Sequence, residues 1–257
     1  MLRVGNILVF ACLLFLCPTL GFAHFGMVIP SSSMVDQTSR DLTVTMSFSH
    51  PFEGQGMELV KPQEMAVYVG GVSTDLTEGL QKTSVFGHTG WVADYRVKRP
   101  GVYSFVMQPH PYWEPAEDCF IIHYTKTIVG AYGDEDGWAA PLGLKTEIVP
   151  LTRPFGLYAG SVFQGQVLVD GKPAPHADVE IEYYNRDGKA TAPNPYLVTQ
   201  VVRADGNGVF IVGLPRAGWW GFAGLNTADF QIKQDGIPKD VELGAVLWVE
   251  TVDWQEK

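Results

Sequence analysis

The sequence predicts an all-β protein: two tandem antiparallel β-sandwich domains of the immunoglobulin or transthyretin-like type, following a cleaved signal peptide. Three observations predict this class. Apolar and polar residues alternate strictly along Asp41–His50, as in a half-buried strand. The 257 residues include 28 glycines and 17 prolines, an excess typical of many strands joined by tight turns. No segment has a convincing amphipathic helical pattern.

Residues 1–23 have the pattern of a secretion signal. Arg3 precedes the apolar run Val4–Leu16, and Gly21-Phe22-Ala23 places small residues at a cleavage site. The run is too short to span a bilayer, and no later apolar stretch approaches membrane length. We therefore expect a secreted protein whose mature chain begins at His24 and contains no transmembrane segment.

The first sandwich is predicted over residues 24–153. In Asp41–His50 the side chains of Val44, Met46, Phe48 and His50 share one face of the strand. Gly-, Pro- and Asp-rich turns separate this strand from four further candidates, which are Met65–Val69, Trp91–Val97, Val102–Gln108 and Phe120–Val129.

The second sandwich is predicted over residues 154–257. The dipeptide Asp170-Gly171 between apolar runs is a strong hairpin signal. The strand candidates that follow it are Val179–Tyr183, Leu197–Arg203, Val209–Leu214, Ala217–Leu225 and Val241–Val252.

Charge and motifs exclude several function classes. The formal charge is −10, from 18 basic and 28 acidic residues, and no extended basic patch exists, so nucleic-acid binding is excluded. The G-x-S-x-G, H-E-x-x-H and Walker motifs are absent, and we predict no enzymatic activity. The mature chain has one cysteine, Cys119, which cannot form an internal disulfide.

The predicted mature N-terminus carries the strongest chemical signal. A terminal His24 offers the free α-amine and the imidazole Nδ1 from one residue, and together they close a chelate ring on a metal. Neutral nitrogen donors of this kind suit Ni(II), Co(II), Cu(II) and Zn(II). Metal competes with the proton of the amine, so binding weakens in acid.

Further ligands would have to come from internal residues. His50 ends its strand before Pro51 and is either an edge histidine or a ligand. His123 lies in mid-strand, opposite the face of Phe120 and Ile122, and points either outward or into a groove between the domains. His110 and Glu114 share an aromatic and acidic loop, where Glu114 either ligates the metal or orients an imidazole. The predicted metal-site residues are His24, His50, His123, His110 and Glu114.

Six stretches resemble one family, the periplasmic component of cobalt/nickel ABC-type (energy-coupling-factor) uptake systems. They begin at His24 (HFGMVIPS), His50 (HPFEGQGMELVKP), Pro111 (PYWEPAEDCFIIHYTK), Glu147 (EIVPLTRPFGLYAGSVFQGQVLVDGKPAP), Ala217 (AGWWGFAGL) and Asp240 (DVELGAVLWVET). The resemblance implies capture of Ni(II) or Co(II) outside the inner membrane and delivery to a membrane-embedded transporter component. It favours His24, His50 and His123 as ligands. Phe25 stands where relatives carry an acidic residue.

Two other functions remain open from the residues. One is a copper protein, either a chaperone or a histidine-brace redox protein, in which His24 and His50 would form the histidine pair that holds Cu(II). The other is a metal-free carbohydrate-binding or adhesion protein, for which two sandwiches are sufficient scaffold.

Overall fold

The computed structural model describes residues 24–256, so the predicted signal peptide at residues 1–23 lies outside the described residues. The predicted all-β class is confirmed: the described chain forms twenty-two strands and two 3-10 turns, Thr77–Gly79 and Pro195–Leu197. Within residues 24–256, no helix has the length and apolarity needed to cross a membrane. In chain order the strands are β1 (Phe25–Pro30), β2 (Met34–Val35), β3 (Asp41–His50), β4 (Gln55–Met57), β5 (Glu64–Val69), β6 (Val72–Asp75), β7 (Gln81–Val85), β8 (His88–Arg96), β9 (Gly101–Gln108), β10 (Tyr112–Glu114), β11 (Cys119–Ala131), β12 (Thr146–Pro150), β13 (Leu157–Tyr158), β14 (Val162–Val169), β15 (Lys172–Pro173), β16 (Asp178–Tyr183), β17 (Gln200–Arg203), β18 (Val209–Gly213), β19 (Gly218–Thr227), β20 (Ile232–Gln234), β21 (Ile237–Lys239) and β22 (Val241–Val252).

Three sheets build the sandwich architecture. A central sheet of eleven strands has the order β17-β16-β19-β22-β11-β9-β5-β6, with β2, β10 and β13 added at its sides. The N-terminal sheet has the order β1-β3-β8-β7, and β4 pairs with β3. The C-terminal sheet contains β12, β14, β15 and β18. A separate β20-β21 ribbon completes the described residues.

The two halves of the chain meet within the central sheet. There β11 and β22 pair in parallel, from Phe120 opposite Val241 to Thr127 opposite Trp248. Most other pairs are antiparallel, as predicted for sandwiches, but this parallel pair makes one continuous sheet from strands on both sides of residue 153. The domain boundary at that residue stays a prediction.

Alternate residues of β11 face different cores. Ile121 and Val129 pack in the core under the N-terminal sheet, together with Val44 and Phe105. Ile128 packs in the core under the C-terminal sheet. Odd-numbered residues of β11 therefore face the N-terminal sheet, and His123 lies beneath β1 with them.

Strand β1 is buried on both of its faces, because it lies at the edge of the N-terminal sheet and against the second half of the chain. Val28 faces the first core, whereas Phe25 and Met27 pack with Trp248 of β22. The indole Nε1–H of Trp248 donates a hydrogen bond to the Gly26 carbonyl at 2.9 Å. These contacts fix the position of His24 at the start of the strand.

The predicted Asp170-Gly171 hairpin is present. Both residues have positive φ, +49° and +69°, and Leu168 pairs with Pro173 across the turn. The returning strand β15 is only two residues long, and the chain then crosses to the central sheet, where β16 pairs with β17 and β19.

Candidate functional site

Strand pairing brings His24 and His50 together. β1 and β3 are antiparallel, and Phe25 lies opposite Ser49, so the start of β1 meets the end of β3. The imidazole centroids of His24 and His50 are 4.6 Å apart, with an angle of 53° between the rings. His50 is buried. Two histidines from sequence positions 26 residues apart therefore form the centre of the candidate site.

Glu114 reaches the same place from the central sheet. It ends β10, opposite Cys119 of β11, and its Oε2 lies 3.0 Å from His24 Nε2. Its other oxygen, Oε1, accepts a hydrogen bond from the Ala116 backbone N–H at 2.9 Å. The side chains of His24 and Glu114 are 9% and 13% exposed. This contact is therefore nearly shielded from water.

His123 has a partner on each ring nitrogen. The backbone N–H of Gly26 donates to Nδ1 at 3.2 Å, which makes Nδ1 an acceptor. Nε2 therefore carries the proton, and it donates to Glu242 Oε1 at 3.3 Å. The ring lies flat against Gly244, where a Cβ would overlap it. Ligation of a metal by His123 would require one nitrogen to exchange its present partner.

Aromatic rings enclose these side chains. Phe48 stacks on His24 with centroids 5.6 Å apart and meets His123 edge-on at 5.7 Å. Tyr112 lies 6.3 Å from His24 and 5.0 Å from Phe48. We refer to His24, His50, Glu114 and His123 together as the histidine site.

The electrostatics of the histidine site favour neutral imidazole. Burial, together with the neighbouring His50 and His123, lowers the pKa of His24 from 6.5 to about 4, against the opposing effect of Glu114. A neutral imidazole has a lone pair available for a metal at neutral pH without first losing a proton.

The side of the sheet beyond His123 is acidic. Glu117, Glu180 and Glu242 approach one another there, and burial and these like charges raise the pKa of Glu180 to about 7. Burial and the carboxylates of Glu242 and Glu117 raise the pKa of the half-buried Cys119 thiol to about 11. That thiol is therefore protonated and weakly reactive at neutral pH.

The remaining predicted ligand, His110, lies at the rim rather than in the cluster. It is exposed and lines a small apolar pocket of about 40 Å³ beside His123, with Phe48, Met107 and Tyr112 among the walls. Among residues 24–256, no group of three or more His, Cys, Asp or Glu side chains is arranged so that it could hold a metal ion. The histidine site is thus defined by ring contacts and carboxylate partners.

Sequence reasoning missed Glu242 and the role of Phe48 as a ring partner. Glu242 is a charged residue within the apolar run of the last strand, and such an interruption is a usable signal of a buried polar contact. Its partner could not be inferred, because the contact depends on the parallel register that places His123 opposite Gly244.

Comparison with solved structures finds distant similarities to several proteins. The D0-D1 domain of intimin is 9% identical, with 87% of this chain and 99% of that chain covered and a TM-score of 0.22. The native alpha-2-macroglobulin of E. coli is 9% identical, with 89% and 14% covered and a TM-score of 0.26. SGBP-B of Bacteroides ovatus, in complex with a mixed-linkage heptasaccharide, is 11% identical, with 86% and 45% covered and a TM-score of 0.20.

Comparison by sequence, unlike comparison with solved structures, identifies a family. No curated protein matches the chain. The family described as "Domain of unknown function (DUF4198)" matches residues 21–228, which include all the residues of the histidine site. Because this match spans most of the sequence, the chain belongs to the DUF4198 family.

Proposed function

We propose that this protein binds Ni(II) or Co(II) in the periplasm, through a chelate formed by the N-terminal His24, and delivers the ion to a membrane-embedded transporter component. The observation that carries the binding step is the contact of His24 with both His50 and Glu114. The delivery step rests on the resemblance of the sequence to periplasmic components of cobalt/nickel uptake systems.

The contact with Glu114 supports a role for His24 Nδ1. A neutral imidazole whose Nε2–H donates to a carboxylate keeps its lone pair on Nδ1. Nδ1 is the nitrogen that can share a chelate ring with the α-amine of the same residue. A carboxylate on the distal nitrogen also orients a ligating imidazole and raises its basicity. We therefore assign Glu114 to orienting His24 rather than to binding the ion.

The spacing of the rings supports His50 as the third nitrogen donor. With metal–nitrogen bonds of about 2.0–2.1 Å, two imidazoles that ligate one ion at about 90° have centroids about 4.5 Å apart. The centroids of His24 and His50 are 4.6 Å apart. The proposed protein donors are therefore the α-amine, His24 Nδ1 and one nitrogen of His50.

His123 has a supporting role in this proposal. Its Nδ1 accepts the N–H of Gly26, two residues after His24, and so holds the chain end that carries the chelate. The sequence interpretation of His123 as a ligand remains an alternative, and the Gly244 substitution described in the Discussion distinguishes the two.

Calorimetry tests the proposal. Ni(II) and Co(II) are titrated into protein that begins at His24 and into a matched control carrying a Gly-Ser extension before His24. Binding near 1:1 that the extension weakens by about a hundredfold would identify the α-amine as a ligand. The substitution His50→Ala should weaken binding to a similar degree. Equal binding by all three proteins would contradict the proposal.

The same three nitrogens favour copper as a second candidate. Divalent affinities rise from Co(II) through Ni(II) to Cu(II), so tight Cu(II) binding in vitro is expected whichever ion is physiological. The affinity for Cu(II) therefore does not distinguish a copper protein from a nickel or cobalt protein. Oxidation of a polysaccharide driven by peroxide and Cu(II) would favour a histidine-brace redox protein, and its absence with copper bound would favour metal capture.

One feature favours the third function, carbohydrate binding. Tyr158 and Trp254 stack at 3.7 Å on the surface, and Trp254 is 72% exposed. Exposed aromatic faces suit sugar rings, because they offer flat apolar contact. Retention on immobilised polysaccharide that Trp254→Ala abolishes would support this function.

A further inference from the structure

The turn that follows His50 is held from the second half of the chain. β3 ends at His50, and the chain turns through Pro51 and Phe52 before β4 begins at Gln55. Within the turn, the Gly54 N–H donates to the His50 carbonyl at 3.0 Å. Gly54 has φ +69°, a conformation that favours glycine.

Three hydrogen bonds connect this turn to β16 and the residues after it. Oε2 of Glu182 accepts the Phe52 N–H at 3.1 Å. The Asn185 backbone N–H donates to the Pro51 carbonyl at 3.1 Å, and Asn185 Nδ2 donates to the Phe52 carbonyl at 3.0 Å. The two residues directly after His50 thus have both of their carbonyls and the Phe52 N–H bound by the second half of the chain.

Both of these partners are themselves fixed. Glu182 is 1% exposed, and its Oε1 accepts a hydrogen bond from the Thr199 hydroxyl. Asn185 is 5% exposed and exchanges two further hydrogen bonds of 2.9 Å with the backbone of Ala190. Burial of a carboxylate and an amide is costly unless they are hydrogen-bonded. Their hydrogen-bond partners include the turn after His50, so the bonds that offset the cost of burying Glu182 and Asn185 also hold this turn.

We infer that Glu182 and Asn185 are positioning residues that set the place of the His50 imidazole, so that the second half of the chain determines the geometry of a site whose donors all lie in the first half. This inference rests on the proposed function for its consequence in metal binding. Its structural part, the dependence of the His50 position on the two residues, stands separately.

The test uses Co(II) as the probe, with protein that begins at His24. Glu182→Ala and Asn185→Ala should weaken Co(II) binding by about 10- to 100-fold, the range seen when the residues that support a ligand are removed. Both should also change the visible absorption spectrum of the Co(II) complex. Glu182→Gln retains an acceptor for the Phe52 N–H and should bind Co(II) nearly as the unaltered protein does.

Thr146→Val is the matched control for stability. Thr146 is buried in the C-terminal sheet, and its hydroxyl donates to the Leu168 carbonyl at 2.9 Å, distant in the fold from the turn. This substitution should lower stability without altering Co(II) affinity or the spectrum. If Asn185→Ala and Glu182→Ala bind Co(II) as Thr146→Val does, the inference is overturned and the proposed function is unaffected.

A second measurement separates this inference from the proposed function. The ring resonances of His50 are recorded by NMR without added metal. Their chemical shifts should change in Asn185→Ala and remain unchanged in Thr146→Val. If the unaltered protein binds no Co(II), the proposed function fails, and these resonances still decide the inference: unmoved signals in Asn185→Ala overturn it.

Discussion

Two buried polar clusters lie on opposite faces of β11, and they differ in how their charges are satisfied. On one face, Lys126 Nζ contacts Glu147 Oε2 at 2.6 Å, and both side chains are 1% exposed. Glu147 also accepts backbone N–H groups of Leu142 and Gly143 at 2.9–3.1 Å. On the other face is the histidine site, where burial and the neighbouring His50 and His123 lower the pKa of His24.

The difference separates a structural cluster from a candidate binding site. In the ion pair, the ammonium of Lys126 neutralises the carboxylate of Glu147, and the hydrogen bonds of Glu147 connect the loop before β12 to the sheet. The histidine site gathers three imidazoles and the Glu114 side chain, and the pKa of its His24 lies well below the ordinary value, which leaves that ring free of a competing proton. Burial of polar side chains alone does not indicate a binding site; the kinds of side chain that are buried together do.

The largest effect is expected from breaking the ion pair. Lys126→Met should lower the free energy of unfolding by about 3–5 kcal/mol, because it leaves the Glu147 carboxylate buried without a counter-charge. Urea denaturation measures this. The double variant Lys126→Met/Glu147→Gln should recover much of the loss, and both variants should bind Ni(II) as before while folded. A loss below about 1 kcal/mol in the single variant would contradict a structural role for the pair.

The next effect concerns the pH dependence of the histidine site. The pKa of His24 is about 4 in the folded protein, below its ordinary 6.5, so the unfolded chain takes up this proton first as the pH falls. The stability contributed by His24 is therefore complete above pH 6.5 and is lost as the pH falls from 6.5 towards 4. Between pH 7 and pH 4.5 the loss should be about 2–3 kcal/mol.

The matched variant is His24→Gln, compared by urea denaturation at both pH values in chains beginning at residue 24. Other groups titrate in both proteins, so the difference between them isolates His24. The unaltered protein should lose more stability on acidification than the variant does. Identical losses would mean that His24 titrates near its ordinary pKa and that the site is open to water.

The smallest effect distinguishes the two roles of His123. Gly244→Ala places a Cβ against the His123 ring and should cost about 1–2 kcal/mol by overpacking. If His123 only holds Gly26, Ni(II) binding should weaken less than in His50→Ala. Gly224→Ala, which overpacks against Val167 in the other core, is the control for stability alone. Loss of Ni(II) binding equal to that in His50→Ala would make His123 a ligand.

Local patterns were sufficient to predict much of the fold. The alternation of Asp41–His50 placed Val44 and Phe48 in the core and His50 at the strand end, and the structure has them there. The Asp170-Gly171 turn was predicted because its conformation depends on two adjacent residues. In both cases the information lies within about ten residues of sequence.

The contacts that complete the site depend on pairings between distant segments. The approach of Glu242 to His123 follows from the parallel register of β11 and β22, which no local pattern encodes. Glu180 and Glu182 alternate with the apolar Val179 and Ile181, a pattern typical of a solvent-facing row, but the turn after His50 covers Glu182. Alternation shows that one face of a strand is polar, but tertiary packing decides whether that face is exposed to solvent.

The hydrogen bond between Trp248 and Gly26 joins residues 222 positions apart and has a consequence for folding kinetics. The face of strand β1 that carries Phe25 and Met27 finds its packing partner Trp248 only when the last strand has been synthesised and has paired. Folds dominated by such long-range contacts form in about milliseconds to seconds, because the chain loses the entropy of closing a long loop before the stabilising contacts are made. A chain synthesised from its N-terminus therefore completes the packing around β1 late: His24, at the start of that strand, is the first described residue to be synthesised, and Trp248, which holds the strand through Gly26, is among the last.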